Sequence, residues 1–210
     1  KTGKIVWRKD FVKELNTSLP SFGYVSSPLP HEGSVYVQAG GSICRLDAQT
    51  GDIIWRTAKD GGGMNGSAFS SPTIEDIHGV RQLVAQTRSE LCGISLESGQ
   101  LLWKQEVPAF RGMNIVTPCK HGNGFFTSSY GGGSFFFDIK LENGKFKSVE
   151  RWRNTIQGYM SSPVIIDDHA YMHLRNRRVV CMDLSDGDVK WTSTPQGEYW
   201  SMVTNGRQIL

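Results

Sequence analysis

The chain has 210 residues, 38% hydrophobic content and a formal net charge of +3, the profile of a globular protein with enough apolar side chain for a core. So small a charge gives no basis for a nucleic-acid partner, since Lys and Arg are scattered apart from Arg151-Trp152-Arg153 and Arg175-Asn176-Arg177-Arg178. No apolar run reaches the length of a membrane span, and the four cysteines show no CxxC or CxxCH spacing of a zinc or covalent-haem site.

The first recognisable element is Thr2-Gly3-Lys4-Ile5-Val6-Trp7, which returns along the chain. Its echoes are Thr50-Gly51-Asp52-Ile53-Ile54-Trp55, Ser98-Gly99-Gln100-Leu101-Leu102-Trp103 and Asp186-Gly187-Asp188-Val189-Lys190-Trp191, with a stretched version from Asn143-Gly144 to Trp152. The five tryptophans fall 48, 48, 49 and 39 residues apart. Self-similarity at this period means one supersecondary unit copied in series, each copy too small to bury its own apolar face.

A second phrase leads each copy: Ser26-Ser27-Pro28, Ser70-Ser71-Pro72, Val116-Thr117-Pro118 and Ser161-Ser162-Pro163, with Trp200-Ser201-Met202 as a last echo lacking Pro. Between the two phrases lie short alternating runs such as Ser34-Val35-Tyr36-Val37 and Ser42-Ile43-Cys44-Arg45-Leu46, bounded by Gly and Asn. They predict four strands per copy joined by hairpins, and no stretch of ten or more residues carries a helical stripe. In Asp47-Ala48-Gln49-Thr50-Gly51 the Asp side chain can bond backbone N–H groups two residues on, and Gly supplies the positive φ that closes the turn. The matching segment from Asp138 to Gly144 is two residues longer, which predicts a diverged loop.

Four-stranded units of this length predict an all-β fold, a β-propeller with Trp docking motifs. Complete blades are expected at 22–57, 66–105, 113–154 and 158–194, with partial blades at 1–8 and 199–210, all in one propeller domain spanning 1–210. Trp7, Trp55, Trp103, Trp152 and Trp191 are expected on outermost strands, packed across to the neighbouring blade. Cys44 and Cys92 share a repeat position, Cys181 lies one position away, and Cys119 follows a Pro on an innermost strand. Equivalent positions in adjacent blades are too far apart for a disulfide, so the cysteines are expected as buried free thiols.

The element Leu-Asp-Ala-x-Thr-Gly-x-x-x-Trp, clearest from Arg45 to Trp55 and repeated from Gly93 to Trp103 and Met182 to Trp191, resembles the quinoprotein-type (PQQ-like) propeller repeat. Gly79-Val80-Arg81-Gln82-Leu83-Val84 and Ser128 to Ser134 resemble secreted bacterial members of that group. The resemblance implies a ring of seven or eight blades, the remainder coming from further chain or another copy, although a five-bladed closure lacking one strand is the alternative. It also implies a periplasmic or extracellular location. Family members include quinone-dependent alcohol dehydrogenases, a non-catalytic outer-membrane assembly lipoprotein and many secreted propellers.

In such a fold, loops entering first strands and loops joining second to third strands gather on one face, around a central funnel. The pairs before each Ser-Ser-Pro phrase belong there: Tyr24-Val25, Ala68-Phe69, Asn114-Ile115, Tyr159-Met160 and Tyr199-Trp200. They are expected to form two tiers whose aromatic members offer apolar faces with polar tips, as ligand pockets do. The second-to-third-strand loops add Gln38, Arg88, Glu90, Tyr130, Arg175, Asn176 and Arg177, with Arg88 and Arg175 able to fork onto carboxylates. Asn65, Arg111 and Gln157 lie in loops into first strands. The candidate ligand-binding set is therefore Tyr24, Phe69, Asn114, Tyr159, Tyr199, Trp200, Arg88 and Arg175.

No residue is singled out as catalytic or metal-ligating. A quinone dehydrogenase needs oxygen ligands for calcium and an Asp base, whereas Asp76, Asp167 and Asp168 belong to turns on the opposite face. The expected function is a non-catalytic scaffold binding a protein, peptide or small ligand on the funnel face. The alternative is a dehydrogenase using pyrroloquinoline quinone with calcium, its catalytic residues largely outside this segment.

Overall fold

Runs of three to ten residues separated by tight turns can pair only with their chain neighbours. In the computed structural model, which describes residues 2–60 and 68–210, they form four antiparallel four-stranded sheets, each strand bonded to its sequence neighbours. The first sheet holds β1 (Leu29–His31), β2 (Ser34–Gln38), β3 (Ile43–Asp47) and β4 (Ile53–Thr57). The second holds β5 (Thr73–Ile77), β6 (Val80–Gln86), β7 (Glu90–Ser95) and β8 (Leu101–Glu106). The third holds β9 (Cys119–His121), β10 (Gly124–Ser129), β11 (Gly133–Glu142) and β12 (Lys145–Asn154). The fourth holds β13 (Val164–Ile166), β14 (His169–His173), β15 (Val179–Asp183) and β16 (Val189–Thr192). This is the all-β propeller architecture that the repeats predict.

The register between third and fourth strands slips by one at the same place in every sheet: after Arg45, Gly93, Phe136 and Cys181. Each of these residues faces the repeated tryptophan, and the bulge absorbs the extra residue between Trp and turn. The turn itself follows its chemistry. Asp47 accepts from the N–H groups of Gln49 (2.8 Å) and Thr50 (2.9 Å), and Gly51 closes the loop at φ +78°. In the third sheet the longer Asp138–Gly144 segment is not a loop. β11 and β12 continue to an Asn143-Gly144 turn with φ of 51° and 73°, because that dipeptide suits the two-residue hairpin whose twist matches its strands.

Sheets pack face to face in chain order. The third is buried on both faces by alternation: Phe125, Phe135 and Phe137 join Trp103, Ile77 and Leu91 of the second sheet, while Phe126 and Phe136 join Trp152, Met172 and Val180 toward the fourth. The Trp residues seal these junctions in different ways. Trp7, Trp55 and Trp152 donate Nε1–H to the carbonyls of Ala48, Leu96 and Leu184, at 3.0, 3.1 and 2.8 Å. Their rings press on Gly51, Gly99 and Gly187, where an added Cβ would come within 2.6–2.8 Å of the indole. Trp103 instead donates to Gln82 Oε1 of its own sheet at 2.8 Å and stacks on Phe125 across the junction. Trp191 departs from the expectation: it is 47% exposed and meets Tyr171 of its own sheet, since no further described sheet lies beside β16.

The Ser-Ser-Pro phrase has a role that its sequence did not reveal. The N–H of Ser27 donates to Ser71 Oγ (3.0 Å), that of Ser71 to Thr117 Oγ1 (3.3 Å) and that of Thr117 to Ser162 Oγ (3.0 Å). The middle residue of each phrase thus links consecutive sheets at their innermost edge. Buried Gln38 adds another tie, its Nε2 donating to the carbonyls of Ser70 (2.7 Å) and Gln86 (3.2 Å) in the second sheet. All four cysteines are free, with Cys44, Cys92 and Cys181 buried.

The terminal pieces differ from strand-bearing partial blades. Residues 2–10 carry no strand; they lead into a short helix, α1 (Phe11–Leu15), whose N-cap Asp10 accepts from Lys13 N–H. Residues 199–210 hold one isolated bridge, between Thr204 and Ile209. A strand needs a laterally bonded neighbour, and among the described residues none lies beside these segments. No helix among the described residues is long and apolar enough to cross a membrane.

Candidate functional site

An antiparallel meander places the turns between second and third strands at the same end as the loops entering first strands, so these loops share one face. The structure sorts the candidate residues on it into three groups. Tyr24 packs edge-on against Phe11 of α1 (5.9 Å), and Phe69 lies 5.8 Å from exposed Phe22. Trp200 stacks on His173 at 5.4 Å and 11°, half-buried, while His173 Nε2 lies 3.1 Å from the Gly197 carbonyl. These six residues close the ends of the face by packing on one another.

Two candidates are not surface groups. Asn114 is fully buried, and its Nδ2 donates to the carbonyls of Thr87 (3.0 Å), Arg88 (3.1 Å) and Val107 (3.1 Å). Its Nδ2 ties the turn at Thr87-Arg88 to the strand end at Val107 and is buried away from the surface. Gln38 is likewise consumed by the inter-sheet bonds described above. Buried backbone carbonyls must find donors, and at these two positions the amides supply them. Arg88 is half-buried against the turn at Phe110–Gly112, its Nε within 2.9 Å of where a Gly112 Cβ would stand. An open groove of about 330 Å³ lies beside it, bounded by Asp60, Glu106 and Gly112. Asn65 lies outside the described residues.

The third group is continuous. Phe110, Tyr130, Tyr159 and Tyr199 form an arc with ring centres 5.7, 5.6 and 6.5 Å apart. The Arg175 guanidinium sits 5.2 Å from the Tyr130 ring centre and 5.5 Å from that of Tyr159, and its Nη1 donates to the Tyr130 hydroxyl. Arg111 caps the other end, 5.1 Å from the Phe110 ring. Gln157 steadies the middle, accepting the Gly131 N–H at 3.0 Å. Beside Tyr159 and Tyr199 opens a pocket of about 230 Å³, walled by Arg175, Arg177 and Glu198, the last two ion-paired at 3.3 Å. Tyr199 is 67% exposed, Phe110 47% and Met160 46%.

Two side chains of this arc escaped the list of candidate ligand-binding residues. Phe110 stands outside the repeat pattern, and the only hint of it was an aromatic beside Arg111 in a loop. Tyr130 was placed on this face but not among the ligand contacts. Arg111, Arg177 and Tyr199 hold φ between 55° and 66°, a left-handed conformation that also occurs in turns elsewhere, at Glu32, His78 and Asp167 among others.

Nothing in this group fits a calcium-bound quinone. Among the described residues no three His, Cys, Asp or Glu side chains converge as metal ligands. Glu90 and Glu198 are each held by a cation, Lys104 and Arg177. Asp167 and Asp168 lie between β13 and β14 at the far end of the sheet, where Asp168 meets His121 (3.1 Å).

A family model described as outer membrane protein assembly factor BamB matches residues 1–193. The chain belongs to this family. Among solved structures, BamB from Moraxella catarrhalis aligns over 99% of this chain and 60% of its own, with a TM-score of 0.74 and 18% identity. The β-propeller domain of Cps50 (Swd1) from Myceliophteria thermophila aligns over 87% of this chain and 60% of its own, with a TM-score of 0.60 and 11% identity. At such identities the likeness establishes the propeller fold, and this BamB-family chain spans about 60% of the length of either structure. No curated protein matches.

Proposed function

We propose that this chain is part of a non-catalytic propeller that binds another protein on its funnel-side face, with Tyr159, Tyr199 and Arg175 among the contacts. The observation that carries this reading is the exposed arc from Phe110 to Tyr199 with Arg175 laid across its centre. Tyr and Arg are the side chains that dominate protein-binding energetics, since each combines a large rigid surface with a polar tip. The family description as an assembly factor supports the same reading, and a periplasmic location goes with it. We further propose that residues 1–210 belong to one propeller domain, and that exposed Trp191 receives a further blade from additional chain or a second copy.

The test is a photo-crosslinking residue placed at Tyr199 in the intact protein, compared with one at exposed Lys145 on the hairpin tip. Defined protein adducts at 199 that are absent at 145, and that disappear when Tyr159→Ala is added, are the expected result. Equal labelling at both positions, or none at 199, would sink the reading.

A further inference from the structure

The geometry of the arc also narrows the chemistry of its partner. Two of the three neighbouring ring pairs meet edge to face, at 76° and 66°, the third is tilted at 33°, and Arg175 lies over both Tyr130 and Tyr159, so the middle of the arc gives a sugar or planar ligand no free ring face. Because Arg175 donates to the Tyr130 oxygen, the phenol keeps its own proton to donate. Phenol donors in a row suit a partner whose backbone carbonyls are unpaired, and a polyproline II segment is such a partner, having no internal hydrogen bonds.

Charge agrees. Arg177 is already held by Glu198, but neither Arg111 nor Arg175 is ion-paired with a described carboxylate, and both sit on the arc itself. We propose that the arc binds a proline-rich, acidic peptide segment in the polyproline II conformation. Its unpaired backbone carbonyls accept from the phenols, and its carboxylates meet Arg175 and Arg111. This rests on the reading of the face as protein-binding.

Fluorescence anisotropy of the intact protein with a dye-labelled decapeptide alternating proline and glutamate tests it. A glycine–glutamate decapeptide matches its charge without its stiffness, a proline–lysine decapeptide reverses the charge, and maltohexaose stands for a glycan. The proline–glutamate peptide is expected to bind saturably and each of the other three roughly tenfold more weakly or worse. Tyr199→Ala, which truncates an exposed ring, is expected to weaken binding about tenfold without moving the thermal midpoint. Arg175→Gln should weaken it similarly and flatten its salt dependence. Equal binding of the glycine–glutamate peptide, preference for maltohexaose, or indifference to Tyr199→Ala overturns the proposal. Crosslinking through position 199 without affinity for the proline–glutamate peptide overturns this inference while the protein-binding reading stands; loss of both overturns both.

Discussion

The imidazole Nε2 of His78 lies 2.6 Å from the carbonyl oxygen of Ile139, the position that an indole N–H serves at three other junctions. Ile139 follows Asp138 as Ala48 follows Asp47 and Leu184 follows Asp183, so the acceptor is the same atom of the repeat. Extension of the β11–β12 hairpin carries Gly144 away from the junction, leaving it with nothing within 4 Å of a Cβ position. Trp103 loses the glycine seat its relatives use and turns to Gln82. A histidine from the β5–β6 turn then supplies the donor, with Asn123 Oδ1 accepting its backbone N–H at 3.1 Å.

His78→Phe should therefore cost about 1 kcal/mol for a lost donor to a junction carbonyl, and Trp55→Phe that amount plus the loss of indole surface seated on Gly99. Urea unfolding of the two variants checks this. A neutral His78→Phe beside a costly Trp55→Phe would show that the imidazole contributes nothing there.

Gly99 and Gly144 share φ +73° but not surroundings. Alanine at Gly144 should cost about 1–2 kcal/mol, the penalty of a left-handed residue alone. At Gly99 the new Cβ would also meet Trp55 at 2.8 Å, so the loss should be clearly larger. Thermal midpoints of the two variants measure the difference, and equal values would mean that the indole seat is not tight.

Thr117→Val keeps the shape of the side chain and removes the oxygen that accepts the Ser71 N–H. The expected loss is about 1–3 kcal/mol, the range for a polar group left unpaired, and Thr117→Ser should recover most of it. Faster amide exchange at Ser71 in the valine variant alone would tie the loss to this bond.

The Asp183 carboxyl is held well below the usual carboxylate range, first by the Ser185 hydroxyl, then by the Ser185 N–H and Lys190. A carboxyl depressed on folding stabilises the native state above its unfolded value of about 4, and that contribution fades as pH falls toward the folded value. The wild-type midpoint should drop more steeply below pH ~4 than that of Asp183→Asn, which cannot titrate. Parallel curves would count against the hairpin as a source of acid sensitivity.

The repeated phrases made the four-sheet architecture legible because hairpin chemistry is local: Asp47 reaches the N–H groups of residues 49 and 50, and Gly51 takes its own φ. The arc was legible in part, since Tyr159 and Tyr199 occupy equivalent loops and Arg175 a loop at the same end of its sheet, yet their company with Phe110 and Tyr130 was not. Those contacts join residues of different sheets, and no repeat register encodes a distance across a junction. Asn114 and Gln38 show the converse, polar residues in ligand-like places that a buried carbonyl claims first.

By itself the sequence determined the four strands of each complete sheet, the turn chemistry and which residues share a face, because each depends on groups a few positions apart. Only the tertiary structure decided which polar side chains are spent on buried backbone, that His78 stands in for an indole, and that four rings and Arg175 make one surface. Those outcomes depend on how far one hairpin extends past its neighbour, and packing settles that distance.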